Sequence, residues 1–187
     1  MHLFASQFAR PLCRVATPIP QGVEIGLSVQ FILNCAADMA GSCHGGSQSG
    51  VYEFIKQEGY VPYDSCLTYL ACSTDSDEGF CPQVDTQCSP INTCRTCSTF
   101  GAGCAAIDHF PNATVAEHGT VSGEEGMLAE IFARGPISCG VDATPLHDYP
   151  GGVFTGPDSQ DVNHIISIVG WGVGEDGTKY WHMRNSW

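Results

Sequence analysis

Two apolar segments near the end of the chain, joined by a glycine-rich connection, constrain its fold most strongly. The first segment starts at His164 and the second at Lys179, and residues 172–177 between them are Gly-Val-Gly-Glu-Asp-Gly. A connection of that composition is typical of a turn. Two apolar runs joined by a turn predict antiparallel strands, and such a hairpin would return Asn185 to the neighbourhood of His164.

A histidine oriented by an asparagine can serve as a general base. The side-chain oxygen of Asn185 can accept a hydrogen bond from one imidazole nitrogen of His164, which leaves the other nitrogen to face a nucleophile. Taken alone, a histidine at a strand start beside an asparagine is more often a structural residue. The catalytic interpretation therefore depends on the surrounding sequence.

Longer stretches of sequence around these two residues support the catalytic interpretation. Residues 163–172 (Asn-His-Ile-Ile-Ser-Ile-Val-Gly-Trp-Gly) and 180–187 (Tyr-Trp-His-Met-Arg-Asn-Ser-Trp) closely resemble the histidine and asparagine blocks of papain-like cysteine peptidases. More narrowly, similarity to the cathepsin X branch of that family, also called cathepsin Z, is found in residues 27–30, 42–46, 94–97 and 127–140. The resemblance predicts a partial papain-like domain over residues 27–187, preceded by an irregular segment, residues 1–26.

Hydrophobic patterns along the chain indicate an α+β fold. Residues 28–35 and 47–59 predict helices, and residues 137–141 alternate as in a half-buried strand. Ser122 and Glu125 form a capping box, which predicts a helix whose apolar face contains Met127, Leu128, Ile131 and Phe132. The resemblance implies the two-lobed papain-like fold with the cleft between its lobes, here incomplete, without the central helix of the helical lobe and the C-terminal strands.

The nucleophile of the family has no match in this sequence. In papain-like enzymes the reactive cysteine lies in a Cys-Gly-Ser-Cys-Trp run about 130–150 residues before the histidine. Only Cys13 and Cys35 fall near that distance from His164. Cys35 matches a structural disulfide cysteine of the family. Cys13 is followed by Pro18 and Pro20, which forbid the long helix whose N-terminus stabilises the thiolate. Cys35 and Cys13 are therefore both rejected as the nucleophile.

Further site residues are implied by the resemblance. Gly45 and Gly46 match a pair of glycines whose backbone binds extended substrate, and Asn163 matches a position whose backbone lines the primed side of the cleft. Trp187 matches an indole that shields the hydrogen bond between His164 and Asn185 from water. Without the resemblance, the two glycines are as well explained by a turn, and Trp187 by ordinary core packing.

Eleven cysteines in 187 residues indicate an oxidising compartment and a disulfide framework, or alternatively metal binding. The pair at Cys94 and Cys97 could also suggest a zinc or redox site, but a zinc ribbon would need a second such pair and a redox pair would need a helix at its first cysteine. The flanking residues are typical of a loop, so structural disulfides are favoured. The resemblance implies that Cys43 and Cys139 have partners outside this chain. It also implies the disulfides Cys35–Cys72, Cys66–Cys94 and Cys97–Cys104, with Cys81 and Cys88 in an insertion and expected to pair together.

Charge and targeting signals limit the partners. A net charge of −13 argues against nucleic acid or anionic membranes as partners. No signal peptide and no apolar run of membrane-spanning length is present in the sequence, whereas Asn112-Ala113-Thr114 is a glycosylation sequon typical of exported proteins. The resemblance implies a monomer in a lysosome, a vacuole or the extracellular space. It also implies peptide or protein substrates, inhibitors of the cystatin kind, no cofactor and no metal.

Three hypotheses follow from the sequence. The first is a cysteine peptidase of the cathepsin X kind, possibly a carboxypeptidase, present here as a fragment or incomplete gene model that is inactive in this form. The second is a non-catalytic homologue that binds peptides or inhibitors without cleaving them. The third is a cysteine-rich structural or metal-binding secreted module.

Overall fold

The computed structural model describes residues 25–156 and 161–186, and the backbone of residues 2–5 and 13–16. It divides into two units, one made of residues 1–18 and 118–187 and the other of residues 19–117. We call them the sheet unit and the helical unit. The described strands are β1 (His2–Ala5), β2 (Cys13–Ala16), β3 (Gly41–Ser42), β4 (Gly45–Gly46), β5 (Val61–Pro62), β6 (Arg95–Cys97), β7 (Cys104–Ala106), β8 (Asn112–Ala113), β9 (His118–Val121), β10 (Ile137–Val141), β11 (Val153–Thr155), β12 (His164–Val173) and β13 (Lys179–Arg184). The described helices are α1 (Val29–Cys35), α2 (Ala37–Ala40), α3 (Gln48–Glu58) and α4 (Glu124–Arg134), with short 3-10 helices at Cys81–Gln83, Pro90–Asn92 and Thr144–Leu146.

Serine caps start the two longer helices of the helical unit. The Ser28 side chain accepts a hydrogen bond from the amide of Phe31 at 3.2 Å and thereby starts α1. Ser47 does the same for the amide of Gly50 at the start of α3, which ends at Gly59. Each cap satisfies an amide that has no partner within its helix. The helices predicted from residues 28–35 and 47–59 are confirmed.

One side chain of α1 ties a long loop to the helical unit. Gln30 is only 1% exposed, and its amide nitrogen donates to the carbonyl of Cys72 at 2.7 Å and to Asn34 at 2.9 Å. Its side-chain oxygen accepts from the amide of Leu70 at 2.9 Å. These hydrogen bonds offset the cost of removing the amide from water, and they fix the backbone of residues 70–72 against α1.

Disulfides hold the rest of the helical unit. Cys66–Cys94 and Cys97–Cys104 are confirmed. The other two predicted pairings are wrong, because the structure pairs Cys35 with Cys88 and Cys72 with Cys81, at Cα separations of 4.7 and 5.4 Å. Both distances lie within the usual reach of a disulfide. The insertion that carries Cys81 and Cys88 therefore supplies a partner to each of the two cysteines that were expected to bond to one another.

Three cysteines remain outside these four bonds, and the side chains of two of them, Cys43 and Cys139, are described. Cys139 is fully buried and disulfide-bonded, so the expectation that its partner lies outside the chain is wrong. Cys43 is exposed and is the free cysteine among the described side chains. Its position on the surface allows a bond to a further segment without any rearrangement of the core.

The sheet unit is built on one mixed sheet. Among the described strands, seven pair in the order β11-β1-β13-β12-β10-β2-β9. Helix α4 packs on one face, where its Met127 and Ile131 join the inward side chains of the central strands. The buried core of this unit consists of Met127, Ile131, Ile137, Cys139, Ile166, Ile168, Trp181 and Met183. The strands predicted at residues 137–141, after His164 and after Lys179 are confirmed.

The segment of residues 1–26 was expected to be irregular, yet its described parts include two strands of this sheet. β1 pairs with β11 and β13, and β2 pairs with β9 and β10. The physical reason is that unpaired edge strands offer backbone amides and carbonyls to any extended segment, whatever its own hydrophobic pattern. The domain boundary at residue 27 stays a prediction.

The start of α4 differs from the predicted capping box. Its N-cap residue is Gly123, at φ 77° and ψ 153°, and no side chain caps the helix. This backbone conformation favours glycine and moves the helix start one residue past Ser122, so Ser122 and Glu125 no longer hold the N-cap and N3 positions. Glu124 in the first turn instead accepts from Lys179 Nζ at 2.7 Å, on the exposed surface.

Phe132 is also placed differently from the prediction. Its side chain is 85% exposed, whereas Met127 is 2% exposed and Leu128 packs partly against the core. Phe132 follows Ile131, and successive helical residues point about 100° apart, so it lies beyond the edge of the buried stripe.

None of the helices in the described part of the chain has the length and the apolar composition of a membrane-spanning segment.

Two substitutions on α4 test this assignment of its faces. Met127→Ala should lower the free energy of unfolding by about 2–5 kcal/mol, because it opens a cavity under the sheet. Phe132→Ala on the exposed side should change it by less than about 0.5 kcal/mol. Urea denaturation followed by circular dichroism measures both. Equal losses for the two variants would contradict the described orientation of the helix.

Candidate active site

The site is built on the hairpin of β12 and β13. Their antiparallel register places Ser167 opposite Arg184 and Ile168 opposite Met183. The register then shifts between Ile168 and Gly170, so Val169 is an extra residue in β12 and forms a β-bulge. β12 also pairs along its first half with β10, with His164 opposite Val141.

A hydrogen-bonded turn closes the hairpin. The amide of Gly174 donates to the carbonyl of Thr178 at 2.8 Å. The Asp176 carboxylate accepts from the amide of Thr178 at 3.0 Å and from its hydroxyl at 2.8 Å. These hydrogen bonds, the backbone one first, hold the pKa of Asp176 below its usual value. The turn is therefore fixed at neutral pH, and with it the return of β13 toward the start of β12.

The hairpin brings His164 and Asn185 together. Nε2 of His164 lies 2.8 Å from Oδ1 of Asn185, and both residues are half-buried. Oδ1 also accepts from the amide of Ser186 at 2.8 Å, which identifies it as the acceptor. Nε2 must therefore carry the proton of this hydrogen bond. Proton exchange with a reacting group then falls to Nδ1 of His164.

Asn163, directly before the histidine, organises the neighbouring loop. Its Oδ1 accepts from the amide of Ala143 at 2.8 Å, and its Nδ2 donates to Asp142 and to Thr144 at 3.1 Å each. The loop after β10 is thereby tied to the residue that precedes His164. The resemblance indicated only the backbone of Asn163, so this contribution of its side chain was missed.

A sequence signal could have located both the loop tied to Asn163 and the turn at the far end of the hairpin. Asp142-Ala143-Thr144 and Asp176-Gly177-Thr178 share the pattern Asp-x-Thr. In each, the aspartate accepts from the threonine amide two residues later, at 2.9 and 3.0 Å. This is the side-chain turn that aspartate commonly forms with its own backbone.

The other predicted site residues lie elsewhere in the chain. Gly45 and Gly46 form β4 in the helical unit, are exposed, and pair with β3. A Cβ atom on Gly46 would lie 2.1 Å from the carbonyl oxygen of Ala40, so the close approach of β3 and its neighbours already requires glycine there. Asn112 is exposed on β8. Trp187 lies outside the described residues.

The structural disulfides favoured for Cys94 and Cys97 over a zinc or redox site are confirmed. Cys94 is bonded to Cys66 and Cys97 to Cys104, so the two thiols neither pair with one another nor remain available as ligands. Among the described residues, no group of three or more histidine, cysteine or acidic side chains is arranged to hold a metal ion.

His164 at the start of β12 and Asn185 directly after β13 can be compared with known proteins. The model of the papain family of cysteine proteases matches residues 14–187, and this chain belongs to that family. It is similar to Cathepsin Z of Onchocerca volvulus, at 39% identity over 163 residues, which cover 86% of this chain and 48% of the relative. Vignain of Vigna mungo is 33% identical over 165 residues, or 87% of this chain and 38% of the relative.

A solved structure supports the same assignment. The bromelain protease of Ananas comosus, in complex with the E64 inhibitor, matches 89% of this chain and 65% of its own, with 27% identity and a TM-score of 0.57. The predicted α+β papain-like fold is thereby confirmed. The chain spans about half or less of the length of the Cathepsin Z and vignain relatives.

The tautomer of His164 provides a direct test of the pair. We expect the Nε2–H tautomer of neutral His164 to dominate, because the Asn185 oxygen accepts that proton. Imidazole nitrogen chemical shifts measured by NMR distinguish the two tautomers. Asn185→Ala should restore a mixture, whereas Ser167→Ala on the same hairpin should not. A dominant Nδ1–H tautomer in the unmodified chain would contradict the geometry.

Proposed function

We propose that this chain supplies the general base and its orienting residue to the catalytic centre of a cysteine peptidase. The observation that carries the proposal is the 2.8 Å contact between His164 Nε2 and Asn185 Oδ1. Membership of the papain family supports it, since the family's chemistry is acyl transfer from a peptide to a thiol. Peptides and proteins are accordingly the proposed substrates.

The roles of the two residues follow from their atoms. His164 Nδ1 would take the proton of a cysteine thiol and hold it while the thiolate attacks the peptide carbonyl carbon. The same proton would then pass to the leaving amine, and His164 would next take a proton from the water that hydrolyses the thioester. Asn185 would keep the imidazole in one tautomer and orientation throughout these steps.

Finer specificity is proposed on the resemblance. The 39% identity to Cathepsin Z supports a cathepsin X-like enzyme that removes single residues from peptide C-termini. Gly45 and Gly46 are proposed to bind the substrate backbone, and their exposure on β4 supports this role. Asn163 is proposed to line the primed side, and Trp187 to shield the hydrogen bond between His164 and Asn185.

The 187-residue polypeptide by itself should not cleave peptides. Its sequence contains no Cys-Gly-Ser-Cys-Trp run, and His164 without a neighbouring thiol has no nucleophile to activate. A fluorogenic peptide assay on the purified chain, with and without the thiol-reactive inhibitor E-64, measures this. Turnover that E-64 abolishes would contradict the prediction and return attention to Cys13.

Supplying a nucleophile tests the catalytic pair itself. A chimera would carry the nucleophile-bearing segment of a papain-family relative in place of residues 17–26, which keeps β1 and β2 in the sheet, and should hydrolyse the peptide. His164→Ala in that chimera should lower kcat by about 10²–10⁴-fold, the usual contribution of a general base. Asn185→Ala should lower it by about tenfold, which corresponds to roughly the 0.5–1.5 kcal/mol of one hydrogen bond.

A matched histidine on the same hairpin serves as control. His182→Ala should leave kcat largely unchanged, since its ring packs against Tyr180 rather than Asn185. Circular dichroism should confirm that all three variants keep their fold. An active chimera that tolerates His164→Ala would disprove the proposed role.

A second candidate function is binding without cleavage. The lack of the nucleophile run in these 187 residues favours a homologue that binds peptides or cystatin-like inhibitors. Both candidates predict that a cystatin binds, which calorimetric titration measures, and a peptidase assay on the natural protein separates them, because only the second candidate predicts that it is inactive.

Compartment and assembly are part of the proposal. Four described disulfides support an oxidising compartment, and we propose a lysosome, a vacuole or the extracellular space. The net charge of −13 supports the exclusion of nucleic acid and anionic membranes. A monomer is proposed on the resemblance alone.

A further inference from the structure

We propose that Asn112 carries an N-linked glycan whose first sugar rests in a depression on the helical unit. The depression has a volume of about 480 Å³ and is lined by Tyr60, Asp108, His109, Phe110 and Asn112 itself. Its volume falls in the range of about 300–1,000 Å³ typical of sites that hold small molecules. The side chain that would carry the glycan therefore lines the same depression that would hold the first sugar.

Asn112 meets the requirements of an acceptor. It begins the sequon Asn112-Ala113-Thr114 and is exposed on β8, an extended two-residue strand paired with β5. Its Nδ2 would form a bond to the anomeric carbon of a lipid-pyrophosphate-linked oligosaccharide. The bond from that carbon to the pyrophosphate oxygen breaks, its electron pair leaves with the lipid pyrophosphate, and one amide proton passes to a base of the transferase.

Phe110 lies where it can contact the first sugar. Asn112 Nδ2 donates to the carbonyl oxygen of Phe110 at 3.1 Å, which holds the acceptor amide beside that residue. The Phe110 ring meets the ring of Tyr60 edge to face, with centroids 5.6 Å apart. The face of an aromatic ring is electron-rich and attracts the weakly positive C–H face of a sugar.

Polar groups complete the depression. Asp108 and His109 are exposed at its rim and can hydrogen-bond sugar hydroxyls. Partial burial, together with the charge of Glu58 and a hydrogen bond to it, raises the pKa of Tyr60, so its phenol stays neutral at physiological pH. The phenol donates its proton to Glu58, and its oxygen can accept from a sugar hydroxyl. Aromatic faces with a few polar groups at the edge are the usual composition of a small-molecule site.

Attachment at Asn112 favours this occupant over a free ligand. A sugar bonded to a residue of the depression is already present at high effective concentration, so it loses little translational freedom on packing. Weak contacts with one or two rings are then enough to order it. The glycan would also cover apolar ring surface that is otherwise open to water.

Occupancy is measured first. The protein is secreted from insect cells, digested, and its glycopeptides are identified by mass spectrometry before and after an amidase that converts glycosylated Asn112 to aspartate. Thr114→Ala should remove the glycan, whereas Thr114→Ser should retain it because the hydroxyl remains. An unmodified Asn112 in the secreted protein would overturn the proposal.

Packing of the first sugar is measured by stability. Treatment with an endoglycosidase that leaves one sugar on Asn112 should leave the Tm of the glycoprotein unchanged. Treatment with the amidase that removes this last sugar should lower the Tm by about 2–4 °C. Phe110→Ala should abolish that difference. The control Phe100→Ala, at a phenylalanine that is 95% exposed and does not line the depression, should preserve it.

A glycan that alters Tm equally with and without the Phe110 ring would overturn the packing. A second measurement does not depend on the folding of a variant. Nuclear Overhauser contacts between the first sugar and the Phe110 or Tyr60 ring should appear in the unmodified glycoprotein, and their absence would also overturn the proposal.

Discussion

Antiparallel pairing of β12 with β13 is the constraint on which the site depends. The two residues of the candidate catalytic pair are 21 positions apart in the chain, and only the hairpin places Nε2 of His164 2.8 Å from the Asn185 oxygen. The turn at Asp176 and the core beneath Ile168 and Met183 fix this pairing from two directions. The free energy that orients the imidazole therefore comes from sheet hydrogen bonds and apolar burial throughout the unit.

Features with a local physical cause could be predicted from the sequence. The strands after His164 and Lys179 follow from apolar runs, and the helices at Ser28 and Ser47 follow from residues that cap free amides. The meeting of His164 and Asn185 followed from the same reasoning, since a short connection leaves antiparallel strands little choice. The family resemblance added the chemistry that such a pair can perform.

Features that depend on tertiary contacts could not be predicted. Phe132 falls just outside the buried stripe of α4, a distinction of one residue that hydrophobicity alone does not resolve. The pairing of Cys35 with Cys88 depends on where an insertion folds, and cysteine spacing leaves many pairings open. The side-chain contacts of Asn163 depend on the loop after β10, whose position is set by strand pairing.

The bulge at Val169 determines on which side of the sheet the asparagine emerges. If Val169 were paired with Met183 in a regular ladder, Arg184 would lie opposite Ile168 in place of Ser167, and every later residue of that strand would be offset by one. Because side chains alternate between the two faces, an offset of one turns Asn185 away from the imidazole. The geometry of the candidate pair therefore depends on the number of residues in the ladder: one extra residue between His164 and Ile168 would turn the asparagine to the other face, whereas deletion of Val169 itself would leave Ser167 opposite Arg184.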